Sequence, residues 1–342
     1  MVYSASAIIA VDEKHDSYHY ATRQALWAVL GIAVLAVAMR IDYRLWRNDA
    51  LIWGLIAGVS VLLVAVFFKR PVNGAQRWLQ FWGLGIQPSE FAKLVCILFT
   101  ALILERRMHR INDVRYSLLP IAFVVGGFAV LIYREPDMGT AVTLLLIAAV
   151  MTFGAGLSYR RMAAAAAIGL PILALVIVSE QYRLERLISF LDPWAYAADE
   201  GYQAVRAQLA VGSGGVFGRG LTLGVQKLFY LPEPHTDFIY AVIGEELGLV
   251  GATAVLLCYC VMAWRGLRIA LRAEEPFGAF VALGLTTMIC AQALINISVV
   301  LSLLPTKGIP LPLLSSGGSS LIVSLIGVGV LLNVSQHEAV GA

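Results

Sequence analysis

The chain has 342 residues, of which 59% are hydrophobic and only 14% are charged, and its mean hydropathy is +0.79. This composition excludes a soluble domain of the same length and predicts a polytopic α-helical membrane protein. The formal charge of +3 says little, because in membrane proteins the placement of Lys and Arg matters more than their sum. All four cysteines fall within apolar runs, which predicts small buried side chains and indicates neither a disulfide nor a metal site.

The chain opens with a weakly apolar stretch, residues 1–10, which is too short to span a bilayer and lacks the basic start of a signal peptide. We interpret this stub as the end of a helix whose beginning is missing. Nine apolar runs of spanning length follow: 23–39, 50–68, 88–104, 117–133, 138–156, 162–179, 237–264, 277–303 and 314–334. A long mixed segment, 180–236, precedes the seventh run. The predicted fold is one all-α transmembrane domain over 1–342, a helical bundle of nine spans plus the stub.

Basic residues are unevenly distributed between the two alternating sets of loops, and the richer set is expected to be cytoplasmic. The richer set contains Arg40, Arg44, Arg47, Arg106, Arg107, Arg110, Arg115, Arg160, Arg161, Arg265, Arg268 and Arg272. The poorer set contains Lys69, Arg70, Arg77, Arg134 and Lys307. The poorer loops and the 180–236 segment are therefore predicted to lie outside, with the C-terminus inside. Most polar motifs then share the outer face, which favours a site there over a channel.

A Pro-punctuated loop carries His235, Thr236 and Asp237 directly into the seventh apolar run. Spacing alone is typical of Asp237 as the N-cap of the helix that follows. The alternative is a general base at the bilayer surface, with His235 tuning it or contacting substrate.

Glu245 and Glu246 follow about two helical turns further along. Carboxylates inside an apolar span are costly, so Glu245 and Glu246 cannot both face lipid. At least one is expected to point into the bundle toward a partner such as Lys93 or Arg134.

Two shorter motifs each permit a structural and a functional interpretation. Glu90 and Lys93 are spaced i, i+3, so they lie on one helix face. They form either a neutralising ion pair or the charged wall of a cavity. Arg134 ends one span and Asp137 begins the next. Asp137 is suited to N-cap the second helix of a tight hairpin, whereas Arg134 offers bidentate donors to a phosphate.

The long segment and the last loop carry small and aromatic residues. Residues 189–194 are suited to the membrane interface, and 201–210 have a helical period. Residues 212–220 include five glycines, which permit close approach of a ligand, but they lack the Lys-Ser/Thr end of a nucleotide loop. Three prolines followed by Gly317 and Gly318 predict a rigid entry to the last span and close helix packing, with Lys307 directed outward.

Five of these stretches, in this order, resemble the shape, elongation, division and sporulation (SEDS) family over nearly the whole chain. They are Asn73–Trp78, Gln87–Lys93, Pro136–Thr140, Leu231–Phe238 with Gly244–Gly248, and Ser315–Ser320. Segments 225–232 and 304–308 are more similar to the division branch of the family than to its elongation branch. Two departures stand out: most of the family's first helix is missing, and Ser316 stands where an aromatic residue is common.

The resemblance implies a peptidoglycan glycosyltransferase that polymerises lipid II during cell division at the outer face of the cytoplasmic (inner) membrane. It implies as partners a class B penicillin-binding protein, which acts as the transpeptidase, and other divisome membrane proteins, with no nucleic acid. Asp237 maps onto the family's essential Asp and is expected to deprotonate the acceptor sugar hydroxyl. The residues expected to bind substrate are Arg77, Glu90, Lys93, Arg134, Asp137, Gln203, Lys227, His235, Lys307 and Ser319, with Glu245 and Glu246 in support.

The pyrophosphate of such a substrate needs positive charge, from basic side chains or from a divalent cation such as Mg²⁺ or Mn²⁺. No metal ligand is assigned. Three alternatives stay open at this stage: a lipid II flippase, an elongation-branch polymerase, and a non-catalytic scaffold for division proteins.

Overall fold

The computed structural model describes residues 1–69, 76–81, 84–228 and 230–337. Among the sequence predictions, Arg70, the first three residues of Asn73–Trp78, and Phe229 lie outside the described residues. Apart from one short antiparallel hairpin, regular structure in the described part is helical. The predicted all-α class is therefore confirmed.

The helices are α1 Val2–Lys14, α2 His19–Arg40, α3 Asp49–Val66, α4 Pro88–Arg107, α5 Leu119–Arg134, α6 Met138–Gly154, α7 Tyr159–Val178, α8 Gln181–Leu191, α9 Tyr202–Ser213, α10 Ile239–Arg272, α11 Pro276–Val300 and α12 Gly318–Ser335. Strands β1 (Leu79–Phe81) and β2 (Leu84–Ile86) pair in antiparallel register, with Leu79 opposite Ile86. Short helical turns at Tyr43–Arg47, Met108–Arg110 and Val114–Leu118 connect the longer helices.

Each predicted span corresponds to a helix, namely α2 to α7 and α10 to α12. Within the described part, seven helices are long and apolar enough to cross a membrane: α2, α3, α5 with the turn before it, α7, α10, α11 and α12. α6 falls short because it has 17 residues, and α4 carries charged residues at both ends. The polytopic architecture is confirmed, while the count of nine spans stays a prediction.

The helix ends differ from the predicted boundaries where prolines intervene. α11 ends at Val300 and α12 starts only at Gly318, whereas the predicted runs reach 303 and begin at 314. Pro305, Pro310 and Pro312 lie between the two helices, and proline disrupts helix interiors. The stretch 301–317 is consequently a long connection, and it contributes directly to the candidate site.

Residues group into two compact units. The first contains Met1–Trp27, Ala163–Cys260 and Gln292–Gly317, and the second contains Ala28–Met162, Val261–Ala291 and Gly318–Ala342. In the second unit, α4 packs against α3, α5, α6 and α12, so it is the central helix there. In the first unit, the predicted stub forms α1, with Ser4, Ala5, Ser6 and Ala10 buried.

The cysteines divide into two pairs. Cys96 and Cys290 are buried as predicted, but Cys258 and Cys260 are exposed on α10, so the prediction of four buried thiols is wrong. Both exposed thiols lie on a helix that is apolar enough to cross a membrane, where a small, weakly polar side chain is tolerated.

Candidate active site

The turn that carries Asp237 is fixed through its backbone. Three successive carbonyl oxygens each accept a hydrogen bond from a different donor. The pairs are Ser316 N to His235 O at 2.9 Å, Ser315 Oγ to Thr236 O at 2.5 Å, and Asn296 Nδ2 to Asp237 O at 2.7 Å. These donors come from α11 and from the connection before α12. The turn is thereby held through its backbone carbonyls.

The carboxylate of Asp237 is half-buried beside Gly308. A methyl group at Gly308 would lie 2.8 Å from Asp237 Oδ2, so the carboxylate rests against bare backbone. Lys307, also half-buried, is the preceding residue. α10 begins at Ile239, which leaves Asp237 in the turn before the helix. Asp237 thus keeps part of its surface exposed.

His235, predicted to tune Asp237 or to contact substrate, has only 8% of its surface exposed. Its ring packs against Tyr20 with the two ring centroids 4.8 Å apart. His235 therefore helps to attach the turn to α2, and its role toward substrate stays a prediction.

Glu245 and Glu246 are both fully buried. Glu246 Oε1 lies 2.5 Å from Lys227 Nζ and accepts a hydrogen bond from Ser4 Oγ at 2.5 Å, while Lys227 also donates to Ser4 Oγ at 2.7 Å. Lys227 is 4% exposed, and this buried pair joins the long segment, α10 and α1. We therefore assign Lys227 a structural role, and its predicted contact with substrate is untested.

Glu245 accepts hydrogen bonds mainly from the backbone. Its carboxylate binds the N–H groups of Val225 at 2.8 Å and Gln226 at 3.1 Å, with Arg219 Nη1 at 3.7 Å. The expectation of an inward partner is confirmed for both glutamates. The partners that this structure provides are Lys227 and the 219–226 segment rather than the suggested Lys93 or Arg134.

The glycine-rich residues 212–220 meet a break in α10. At Gly248 the backbone leaves the helix, with φ 66° and ψ −163°. Main-chain hydrogen bonds then join the two segments on both sides of the break: Arg219 N to Glu245 O, Gly220 N to Glu246 O, Leu249 N to Gly215 O, and Val250 N to Val216 O. The glycines are predicted to permit close approach of a ligand, but here it is the α10 backbone that approaches them. A broken helix exposes main-chain donors and acceptors that need partners, and residues 215–220 provide them.

In the second unit, the α5–α6 turn is held by polar contacts. Asp137 caps α6 by accepting from Thr140 N at 3.1 Å and Thr140 Oγ1 at 2.8 Å, and it also accepts from Gln87 Nε2 at 3.1 Å. Arg77 donates to the main-chain carbonyls of Glu135 and Pro136. The N-cap interpretation of Asp137 is confirmed, and Arg77 and Asp137 lie at the same turn.

Other predicted site residues in this unit are also engaged. Lys93 Nζ lies 2.9 Å from Glu90 Oε1, and with 2% and 3% exposure this is the neutralising pair that the spacing indicates. Ser319 Oγ accepts from Gln87 N at 3.0 Å and donates to Gly85 O at 3.2 Å, which fixes the start of α12 on β2. These contacts account for the three residues structurally, and their predicted contact with substrate is untested.

Arg134 and Gln203 have more open surroundings. Arg134 is exposed at the end of α5, and Gln203 is half-buried on α9, in the first unit. Both side chains are accessible to a ligand, as the prediction requires. Among the described residues, no group of three or more His, Cys, Asp or Glu side chains is arranged to hold a metal ion.

Charged residues of the second unit collect at both ends of α4. At the Gln87 end lie Arg77 and Asp137. At the Arg107 end, Arg44, Arg47, Asp49, Glu105, Arg106, Glu274 and Glu275 form ion pairs. A helix of this length extends about 30 Å, roughly the thickness of a bilayer core. The two predicted loop sets are thus separated within this unit, as opposite membrane faces require.

Glu135 is a titratable group that the sequence reasoning missed. Its side chain is fully buried, and neither carboxylate oxygen has a hydrogen-bond partner within the described part of the chain. The pKa of Glu135 is raised to about 8, chiefly by burial and also by the negative charge of Asp137, while the positive charge of Arg77 opposes both. Glu135 therefore holds its proton at neutral pH.

This raised pKa predicts a pH dependence of stability. The unfolded chain releases the proton at about pH 4.3, whereas the native state keeps it to about pH 8. The native state binds more protons across that window, so the free energy of unfolding should fall as pH rises from about 5 to about 8. Glu135→Gln should flatten this slope in thermal melts of detergent-solubilised protein. Asp199→Asn, at an exposed carboxylate, should keep the wild-type slope, and an unchanged slope in Glu135→Gln would contradict the assignment.

Comparison with known proteins assigns the chain to a family. The model of the FtsW/RodA/SpoVE family, described as "Cell cycle protein", matches residues 1–340. The chain belongs to the FtsW/RodA/SpoVE family. A similar curated protein of this family is the "Probable peptidoglycan glycosyltransferase FtsW" of Geobacter sulfurreducens (strain DL-1 / KN400), 43% identical over 98% of this chain and 91% of its own length. "Stage V sporulation protein E" of Bacillus subtilis (strain 168) is 42% identical over 99% and 93%.

Solved structures of the family share the fold. A chain from a structure described as "Structural coordination of polymerization and crosslinking by a peptidoglycan synthase complex" matches with a TM-score of 0.77 and 28% identity, over 98% of this chain and 94% of that one. Thermus thermophilus RodA matches with a TM-score of 0.70 and 27% identity over the same shares. The predicted family is confirmed, and the higher identity to FtsW than to this RodA agrees with the predicted division branch.

Proposed function

We propose that this FtsW/RodA/SpoVE family member is a peptidoglycan glycosyltransferase that polymerises lipid II, with Asp237 as the general base. The observation that carries the proposal is the half-buried Asp237 carboxylate beside Gly308, on a turn whose carbonyls are separately anchored. A base must be held in one position yet be reachable by the proton that it removes. The names of the curated FtsW relatives support the same reaction.

In the proposed reaction, Asp237 takes the proton of the acceptor sugar hydroxyl. The resulting oxygen attacks the anomeric carbon of the donor and forms the new glycosidic bond. The bond from that carbon to the lipid pyrophosphate breaks, and the pyrophosphate leaves with the electron pair. A single carboxylate base suits transfer with inversion, because retaining enzymes use a second carboxylate close by as the nucleophile. Lys307, adjacent to Gly308, is the nearest basic residue in sequence to this contact and a candidate to bind the leaving group.

The same proposal includes the location and the partners. The polymerase would lie in the cytoplasmic membrane with Asp237 at the outer face, which the distribution of basic loops supports. It would work with a class B penicillin-binding protein and other divisome proteins. The similarity to a chain of a peptidoglycan synthase complex supports a stable partner of this kind.

The test is polymerisation of purified lipid II by the protein with its penicillin-binding partner. General base catalysis typically contributes about 10²–10⁴ in rate, so Asp237→Asn should lose polymer by about that factor. Asp199→Asn, at an exposed carboxylate on the same long segment, should polymerise like wild type.

Undiminished polymerisation by Asp237→Asn would remove the catalytic assignment. Movement of labelled lipid II across liposomes, without polymer, would instead identify a flippase. Retained complex formation with neither activity would favour a scaffold.

A further inference from the structure

Asn296 is a buried amide within an apolar helix. It lies on α11 with 1% of its surface exposed. Its Nδ2 donates to two carbonyls, Asp237 O at 2.7 Å and Ile309 O at 2.7 Å. The first belongs to the turn of the proposed base, and the second belongs to the connection that carries Lys307 and Gly308. One amide group thus joins the two stretches that surround the Asp237 carboxylate.

We propose that Asn296 is a positioning residue that fixes the Asp237 carboxylate against the 307–309 backbone. The amide nitrogen of Asn carries two N–H donors and can therefore bind both carbonyls at once, whereas Asp and Leu, which are of similar size, have no such donors. Without Asn296 the two stretches lose their shared attachment, and the carboxylate loses its fixed distance to Gly308. This inference rests on the proposed function, because it concerns how the base of that reaction is held.

α11 offers a matched control one turn earlier. Gln292 is 4% exposed and donates its Nε2 to Pro310 O at 3.1 Å. Like Asn296, Gln292 therefore uses a side-chain amide on α11 to hold the 301–317 connection. Pro310 is not part of the Asp237 turn. A purely structural role for Asn296 predicts equal effects of the two amides.

The experiment measures lipid II polymerisation per folded protein for Asn296→Ala and Gln292→Ala in complex with the penicillin-binding partner. A base displaced by about 1 Å can cost about 10²-fold in rate. We expect Asn296→Ala to lower kcat by about 10–100-fold with little change in KM, and Gln292→Ala to stay within about 3-fold of wild type. Equal losses in kcat for the two variants would overturn the inference.

Two further variants keep the test decisive if Asn296→Ala fails to fold. Asn296→Ser keeps one donor and should lower kcat with a smaller loss of stability. Gly308→Ala moves the carboxylate directly, because its methyl group would meet Asp237 Oδ2 at 2.8 Å. It should lower kcat with the Asn296 hydrogen bonds intact. Wild-type kcat in both variants would overturn the inference.

A double-mutant cycle separates this inference from the proposed function. If Asn296 acts through Asp237, Asn296→Ala should cost little more once Asp237→Asn is present. If the losses in rate of the two single variants multiply in the double variant, Asn296 acts independently of Asp237, while the assignment of Asp237 as the base would still stand. Full activity of Asp237→Asn alone would remove the proposed function itself, and with it the role of Asn296.

Discussion

Gly248→Ala is expected to unfold the protein or to lower its free energy of unfolding by more than about 4 kcal/mol. The φ of 66° and ψ of −163° at Gly248 lie in a region that is essentially restricted to glycine. A methyl group there would also overlap the backbone of Gly218 and Val216, because the two segments meet main chain to main chain. Backbone cannot move aside as a flexible side chain can, so strain and overlap add.

The control for this prediction is Gly212→Ala, in the same glycine-rich stretch. A methyl group at Gly212 meets no atom within 4 Å, and the residue lies in α9. Alanine is favoured over glycine in helices by roughly 0.5–1 kcal/mol, so this variant should be neutral or slightly more stable. The stability of both variants would be measured by thermal melts and by the yield of folded protein after detergent extraction. Equal stability of Gly248→Ala and wild type would mean that the break in α10 is not present in solution.

Lys227→Met is expected to cost about 3–5 kcal/mol of unfolding free energy, because it leaves the Glu246 carboxylate buried without its counter-charge. Glu246→Gln should have a similar effect by isolating the ammonium group of Lys227. The double variant Lys227→Met/Glu246→Leu removes both charges, so it should be more stable than either single variant. This recovery is the signature of a buried ion pair and follows from the desolvation cost of each lone charge.

An exposed ion pair provides the control. Arg106 Nη2 lies 2.6 Å from Asp49 Oδ1, and the two side chains are 48% and 52% exposed. Arg106→Met should cost less than about 1 kcal/mol, because solvent screens such pairs. A Lys227→Met variant as mild as Arg106→Met, or a double variant worse than both singles, would contradict the assignment of the Lys227–Glu246 pair as a structural element.

Most of the helical architecture follows from the sequence because its physical signal is strong. Long apolar runs predict each of the nine longer helices, and prolines explain why α12 starts later than the apolar pattern suggests. Local spacing also suffices for the Glu90–Lys93 pair and the Asp137 cap, since both partners lie within four residues.

The contacts that hold Asp237 could not be predicted in the same way. Asn296 and Ser315 are 59 and 79 residues from their partners, and no local period connects them. One signal was available for Asn296, because a buried amide in an apolar span is costly and usually has a function. For Ser4 no such signal exists, since its partners lie on α10 and on the long segment.

Lys227 illustrates what charge alone leaves undetermined. Its predicted position on an outer segment favours contact with a pyrophosphate, yet its ammonium group neutralises Glu246 in the interior. Sequence places a charge on a segment but does not show which way the side chain points.

Apart from its glycines, the junction at the α10 break depends on chain length more than on side-chain identity. Its hydrogen bonds come from main-chain atoms of residues 215–220, so the side chains of Val216 and Arg219 contribute little to the pairing itself. A one-residue insertion between them would shift the partners of Glu245 and Glu246 relative to those beyond Gly248. The exposed turn at 194–200 has no such register to keep. An inserted epitope tag should therefore be accepted at that turn and rejected at 215–220, where the exposed Val216 and Arg219 side chains can be replaced but the length of the segment cannot change.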